Sequence, residues 1–179
     1  MLIIKKRLKH THTQTMVDVP NQGTIGILRE CKNKWERRCS LTPREVSQLV
    51  ANGIRVLVQP SSIRCYSDDE FMTAGAIIQE DLNEASVIFG VKEVPIANLQ
   101  ADKTYFFFSH TIKAQDYNMP LLDKLRELNI RMVDFECIRE PKEDGKIPER
   151  LVAFGRYAGI AGAFDFLRGI GEFLLQKQF

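Results

Sequence analysis

The sequence predicts an α/β protein: a Rossmann-like parallel sheet with helices on both faces, ending in a long connector helix. Three observations carry this. From residue 24 onward, short apolar runs rich in β-branched residues alternate with stretches of helical spacing. The strand runs are almost continuously apolar, as strands covered on both faces require. A length of 179 residues, 44% hydrophobic and 27% charged, fits one soluble globular domain with a sizeable core.

The first 22 residues stand apart as a basic N-terminal extension. Lys5, Lys6, Arg7 and Lys9 occur among several threonines, and the first carboxylate is Asp18. That composition reads as an organelle transit segment, and an unstructured start of a cytosolic protein is the plainer reading. Either way it lies outside the folded domain, which is expected over residues 23–157. Thr24 to Leu28 is the first apolar run. Thr42-Pro43-Arg44-Glu45 has the form of a helix start, with Thr as N-cap and Pro in the first turn, and Val46, Leu49 and Val50 give that helix an apolar face. Asn52-Gly53 ends the helix, and Arg55 to Gln59 follows as a β-branched strand closed by Pro60. Asp68 to Ala74 suits a short helix, Ala85 to Val91 a buried strand and Thr104 to Phe108 another. A second strong helix is expected from Ala114 to Asn129, where Leu121, Leu122, Leu125 and Leu128 recur at helical spacing, leading into a strand over Arg131 to Phe135. Residues 158–179 form the connector, an amphipathic helix from Ala158 to Gln176. The small residues between Gly155 and Gly162 would let it pack closely.

Composition narrows the function. Twenty-five Lys and Arg against 23 Asp and Glu leave a net charge of +2, with no basic stripe of the kind a nucleic-acid surface needs. The longest apolar runs, such as Tyr105 to Phe108, stop far short of the ~20 residues a membrane span takes. Cys31, Cys39, Cys65 and Cys137 form no CxxC pair and have no histidine near them, so no metal site is expected and the thiols read as free. A reactive Cys39 beside Arg37 and Arg38 is the weaker reading. No GxGxxG turn follows a strand; Gly169-Ile170-Gly171 comes nearest but sits in an expected helix.

In an open parallel sheet, ligands bind beyond the carboxyl ends of the strands, so the polar residues that close the apolar runs are the candidates. These are Arg29-Glu30, Lys92-Glu93, Ser109-His110 and Glu136. Each alone is more often a solvated strand end. Together, a lysine, a histidine and several carboxylates suit proton transfer, and if the strands are adjacent they converge on one cleft. To act as a base Lys92 must shed its proton, which burial or a nearby cation would favour and Glu93 or Glu136 would oppose.

Four strings occur in order: Trp35 to Pro43 (WERRCSLTP), Gly90-Val91-Lys92-Glu93, Phe108 to Gln115 (FSHTIKAQ) and Val152 to Gly159 (VAFGRYAG). They resemble the N-terminal domain of the lysine-2-oxoglutarate reductases, the first half of the bifunctional alpha-aminoadipic semialdehyde synthases, over nearly all of residues 24 to 177. More distantly the chain is similar to alanine dehydrogenases, the transhydrogenase N-terminal domain and fungal saccharopine dehydrogenases. The resemblance implies a mitochondrial enzyme of lysine degradation that joins lysine to 2-oxoglutarate and reduces the imine to saccharopine. NADP would be held by a second domain absent from this chain, which by itself would be inactive. By the same resemblance Lys92 and His110 are the acid/base pair, Arg38 is a carboxylate clamp, Glu93 and Glu136 modulate the pair, and Arg150 is a further substrate-binding candidate. The implied partners are small molecules, with neither nucleic acid nor membrane, and a homo-oligomer is compatible with this. An alanine dehydrogenase-like domain and a non-catalytic binding module are the rival readings.

Overall fold

The computed structural model describes residues 22–141, 145 and 148–177. The expected N-terminal extension lies outside the described residues except for Gln22. Six strands make one sheet, in the order β3-β2-β1-β4-β5-β6 and parallel throughout: β1 (Gly23–Ile27), β2 (Ile54–Val58), β3 (Ile77–Ile78), β4 (Val87–Phe89), β5 (Thr104–Phe107) and β6 (Arg131–Asp134). The helices are α1 (Pro43–Ala51), α2 (Asp68–Thr73), α3 (Met119–Glu127) and α4 (Gly155–Gln176).

The period of two in the strands sorts their side chains into two cores. Ile27, Val56 and Val58 point to the face that Val46 of α1 and Phe71 of α2 cover. Leu57, Ile88, Tyr105 and Phe107 point to the opposite face, where Leu121 and Leu125 of α3 and the loop residue Leu82 close over them. Gly26 faces that second layer, and a Cβ on it would sit 3.1 Å from Leu82 Cδ1 and 3.2 Å from Ala85. A larger residue there would drive the 82–85 loop off the sheet.

Helix α1 starts where the sequence indicated. Glu45 reaches back to accept from the Thr42 backbone N–H at 3.1 Å and from its hydroxyl, and Pro43 occupies the first turn. Gly53, at φ 80°, ends it. Helix α2 begins with a reciprocal Ser67–Glu70 pair.

Four expectations change. The helix foreseen from Ala114 starts at Met119: His110 and Ala114 are both left-handed, at φ 57° and 50°, so residues 111–118 form two short 3₁₀ turns instead. The two-residue strand β3 is an addition, too short to show a period. The strand foreseen over residues 85–91 pairs only at Val87–Phe89. Finally, α4 starts at Gly155, three residues inside the expected domain, and is not two-faced. Ile160, Phe164, Phe166, Leu167, Phe173 and Leu175 are all exposed, and among the described residues nothing lies within 4 Å of a Cβ placed at Gly155, Gly159 or Gly162. Among the described residues no helix is long and apolar enough to cross a membrane.

Candidate active site

Because the sheet is parallel, every strand ends at the same edge, and the candidate residues follow those ends. Lys92 and Glu93 come just after β4, His110 just after β5 and Glu136 just after β6, on adjacent strands. Phe108 N donates to Val91 O at 3.0 Å, tying the two segments together where β4 and β5 have stopped pairing.

His110 stands between two carboxylates. Its Nδ1 is 3.3 Å from Glu136 Oε2 and its Nε2 is 4.0 Å from Glu93 Oε1. Its left-handed backbone is uncommon outside glycine and is held by a buried network. Ser109 Oγ donates to Asp134 Oδ2 at 2.6 Å and accepts from Thr111 N at 3.1 Å, while Asp134 Oδ1 accepts from Glu136 N at 2.8 Å. One network thus fixes both His110 and Glu136.

Glu136 is only 7% exposed and gathers cations: Arg150 Nη2 lies 2.9 Å from its Oε1 and Lys113 Nζ 3.4 Å. Burial pushes its carboxyl up, but the His110 hydrogen bond and the charges of Lys113 and Arg150 outweigh this and hold it below the ordinary carboxylate range. Lys113 also reaches His110 Nδ1 at 3.3 Å, and Lys32 lies 3.5 Å from Glu93.

A second group adjoins the first. Arg38 gives its Nε and Nη2 to the two oxygens of Glu36, at 2.7 and 2.6 Å, and lies over the Phe154 ring, 5.1 Å from its centroid. The Arg38 hydrogen bond draws the Glu36 carboxyl below its usual range, and the charge of Lys92 acts in the same direction. Glu30 accepts from the backbone of Val91 at 2.6 Å and of Lys92 at 2.9 Å. Burial pushes Glu30 up, and those two backbone bonds offset part of it. Phe154 touches Phe108, ring centroids 5.5 Å apart, and Phe108 stacks toward His110 at 6.4 Å. The two groups therefore share an aromatic wall.

The six residues to which the resemblance gave roles lie in these two groups, whereas Arg29, also named as a strand end, pairs with Glu80 outside them. Sequence reasoning missed Glu36, Lys113 and Phe154, although each sits inside a string it quoted. Glu36 is two residues from Arg38, and Lys113 is one 3₁₀ turn from His110. Arg37, by contrast, is exposed and donates its Nε to Ile63 O at 2.9 Å. Cys39 is buried, and burial first, with the neighbouring Cys65, pushes its thiol up to about 12, so the structural reading of that cysteine holds over the reactive one. Among the described residues no His, Cys, Asp or Glu group of three is arranged to hold a metal.

Among the described residues no glycine-rich turn joins a strand to a helix. The β1–α1 connection contains no glycine, and Gly169 and Gly171 are interior to α4.

An open parallel sheet with ionisable side chains and guanidinium groups gathered at its carboxyl edge defines an α/β domain of the doubly wound kind. The chain belongs to the family described as alanine dehydrogenase/PNT, N-terminal domain, whose model matches residues 26–161. It is 44% identical to the mitochondrial alpha-aminoadipic semialdehyde synthase of Bos taurus, over 87% of this chain and 16% of that protein, and 42% identical to the Arabidopsis thaliana alpha-aminoadipic semialdehyde synthase, over 84% and 14%. A Yarrowia lipolytica saccharopine dehydrogenase (NAD(+), L-lysine-forming) is 31% identical over 76% of this chain and 37% of its own length. An L-alanine dehydrogenase structure superposes with a TM-score of 0.58 at 25% identity, over 66% of this chain and 34% of that one. The chain thus spans about a sixth of the animal and plant relatives.

Proposed function

We propose that this chain is the substrate-binding and acid–base part of a saccharopine-forming lysine-2-oxoglutarate reductase, acting in the mitochondrion on lysine and 2-oxoglutarate. The observation that carries the reading is His110 set between Glu93 and Glu136, one strand from Lys92, with Arg150 and Lys113 on Glu136 and Arg38 beyond the Phe108–Phe154 wall. Cations near a histidine suit a keto acid with two carboxylates.

Imine formation needs protons moved at two atoms. The ε-ammonium of lysine must lose a proton before its nitrogen attacks C2 of 2-oxoglutarate, and the carbonyl oxygen must gain protons to leave as water. On this reading Lys92 and His110 exchange them, and the carboxylates of Glu93 and Glu136 flank the imidazole. Arg38, steadied by Glu36 and Phe154, keeps its remaining N–H groups for a substrate carboxylate. The hydride that reduces the imine would come from NADPH held on a domain other than this one.

The test is a form of the protein that carries a dinucleotide-binding domain after α4. Lysine with 2-oxoglutarate should drive NADPH oxidation, and Lys92→Met or His110→Ala should lower kcat at least a hundredfold. Turnover of ammonia and pyruvate instead would assign an alanine dehydrogenase, the reading that the structural likeness to that enzyme favours.

A further inference from the structure

Beside the cluster around His110, a cleft of about 440 Å³ opens between the carboxyl ends of β1, β2 and β4 and the 94–100 loop. It contains Glu30, Lys92 and Glu93 but not His110, Arg38, Glu136 or Arg150. We propose that this cleft holds the amino-acid end and aliphatic chain of the lysine substrate, delivering its ε-nitrogen to Lys92, while 2-oxoglutarate occupies the cation-rich side around His110. The proposal rests on the function inferred above.

Four observations support it. The first is charge. The cleft presents three carboxyl groups, Glu30, Glu80 and Glu93, against two cations, Arg29 and Lys92. An incoming molecule with two ammonium groups and one carboxylate balances that excess, whereas a dicarboxylate would deepen it.

The second is the mouth. Arg29 Nη1 and Nη2 meet Glu80 Oε2 and Oε1 at 2.9 and 2.6 Å, and Arg29 is pinned further by Pro60 O at 3.1 Å. Both side chains remain open to solvent, 40% and 63% exposed, so each has an outer edge to offer. A zwitterion laid across this pair puts its α-carboxylate on the guanidinium and its α-ammonium on the carboxylate, closing a ring of four alternating charges.

The third is the lining, to which the half-buried Leu28 and Leu99 give an aliphatic side. The fourth is an unpaired acceptor. Gln100 lines the cleft, and its Oε1 is shielded from solvent without a hydrogen-bond donor among the described residues. A buried acceptor left alone is unfavourable, and an ammonium donor reaching it would relieve that cost.

Nitrogen-15 NMR titrations of the 179-residue chain test this. L-Lysine should shift the amides of Arg29, Asn98 and Gln100, and 2-oxoglutarate those of His110, Lys113 and Glu136. Arg29→Gln and Glu80→Gln should each weaken lysine binding about tenfold or more and leave 2-oxoglutarate binding within twofold. Cadaverine, lacking the α-carboxylate, should bind at least tenfold more weakly than lysine to the unaltered chain and gain nothing from Arg29. Both substitutions lie at the exposed mouth, and unchanged spectra elsewhere verify the fold. Lysine shifts centred on His110 with residues 94–100 unmoved, or lysine affinity untouched in both variants, would overturn the proposal while leaving the function above intact. Failure of both lysine and 2-oxoglutarate to bind would overturn the two together.

Discussion

Arg37 and Arg38 are sequence neighbours with opposite fates. Arg37 spends its Nε on a loop carbonyl and is exposed, whereas Arg38 is gripped by Glu36 through two hydrogen bonds and laid on Phe154. A lysine could not reproduce that planar fork. Arg38→Lys should therefore weaken 2-oxoglutarate binding about tenfold, or roughly 1.4 kcal/mol, and Arg37→Lys should change it less than twofold. Calorimetric titration of both variants checks this, and equal losses would remove Arg38 as the clamp. Glu136 yields a second expectation. Its carboxyl ionises more readily folded than unfolded, so its stabilising contribution is complete above the ordinary carboxylate range and is lost as pH falls through the lower, folded value. Glu136→Gln should lower the urea midpoint near pH 7 and flatten the acid-side fall of that midpoint. An identical pH profile for variant and parent would show that His110, Lys113 and Arg150 do not hold the carboxylate as described.

The strands and α1 were readable because each carries a local signal: β-branched apolar runs for β1, β2 and β4 to β6, and Thr42-Pro43 with Glu45 for the helix start. The start of α3 was not. The apolar spacing of Leu121, Leu122, Leu125 and Leu128 extends smoothly backward, but the Ser109–Asp134 contact, 25 residues apart, forces His110 out of helical geometry and delays the helix. Long-range hydrogen bonding overrode the local pattern there, as often happens beside a functional group. The site residues divide the same way. Lys92, His110 and Glu136 could be found as strand-end residues, whereas Glu36 and Phe154 matter only through contacts that tertiary folding creates. The turn after α2 depends on Gly75, whose φ is 90° and whose added Cβ would lie 2.9 Å from Val50 Cγ1. Gly75→Ala should destabilise the fold by about 1 to 2 kcal/mol, read as a Tm lower by roughly 2 to 8 °C. An unchanged Tm would mean that the α1–α2 contact yields without cost.

Taken whole, the proposed function divides proton transfer from redox chemistry. The carboxyl edge gathers His110, Glu93, Glu136, Lys113 and Arg150, the described residues contain no glycine-rich turn between a strand and a helix, and the last helix exposes apolar side chains along its length. The chain alone should therefore bind substrate without oxidising NADPH, and absorbance at the cofactor's reduced band should stay level with lysine and 2-oxoglutarate present. His110 is the one histidine among the described residues, and its ring resonances, told apart from those of His10 and His12 by their loss in His110→Ala, report on the cluster. Following those resonances while 2-oxoglutarate is added tests whether the edge is a substrate site. A saturable shift that disappears in Arg38→Lys is the result expected; ring signals that stay fixed at millimolar 2-oxoglutarate would contradict it.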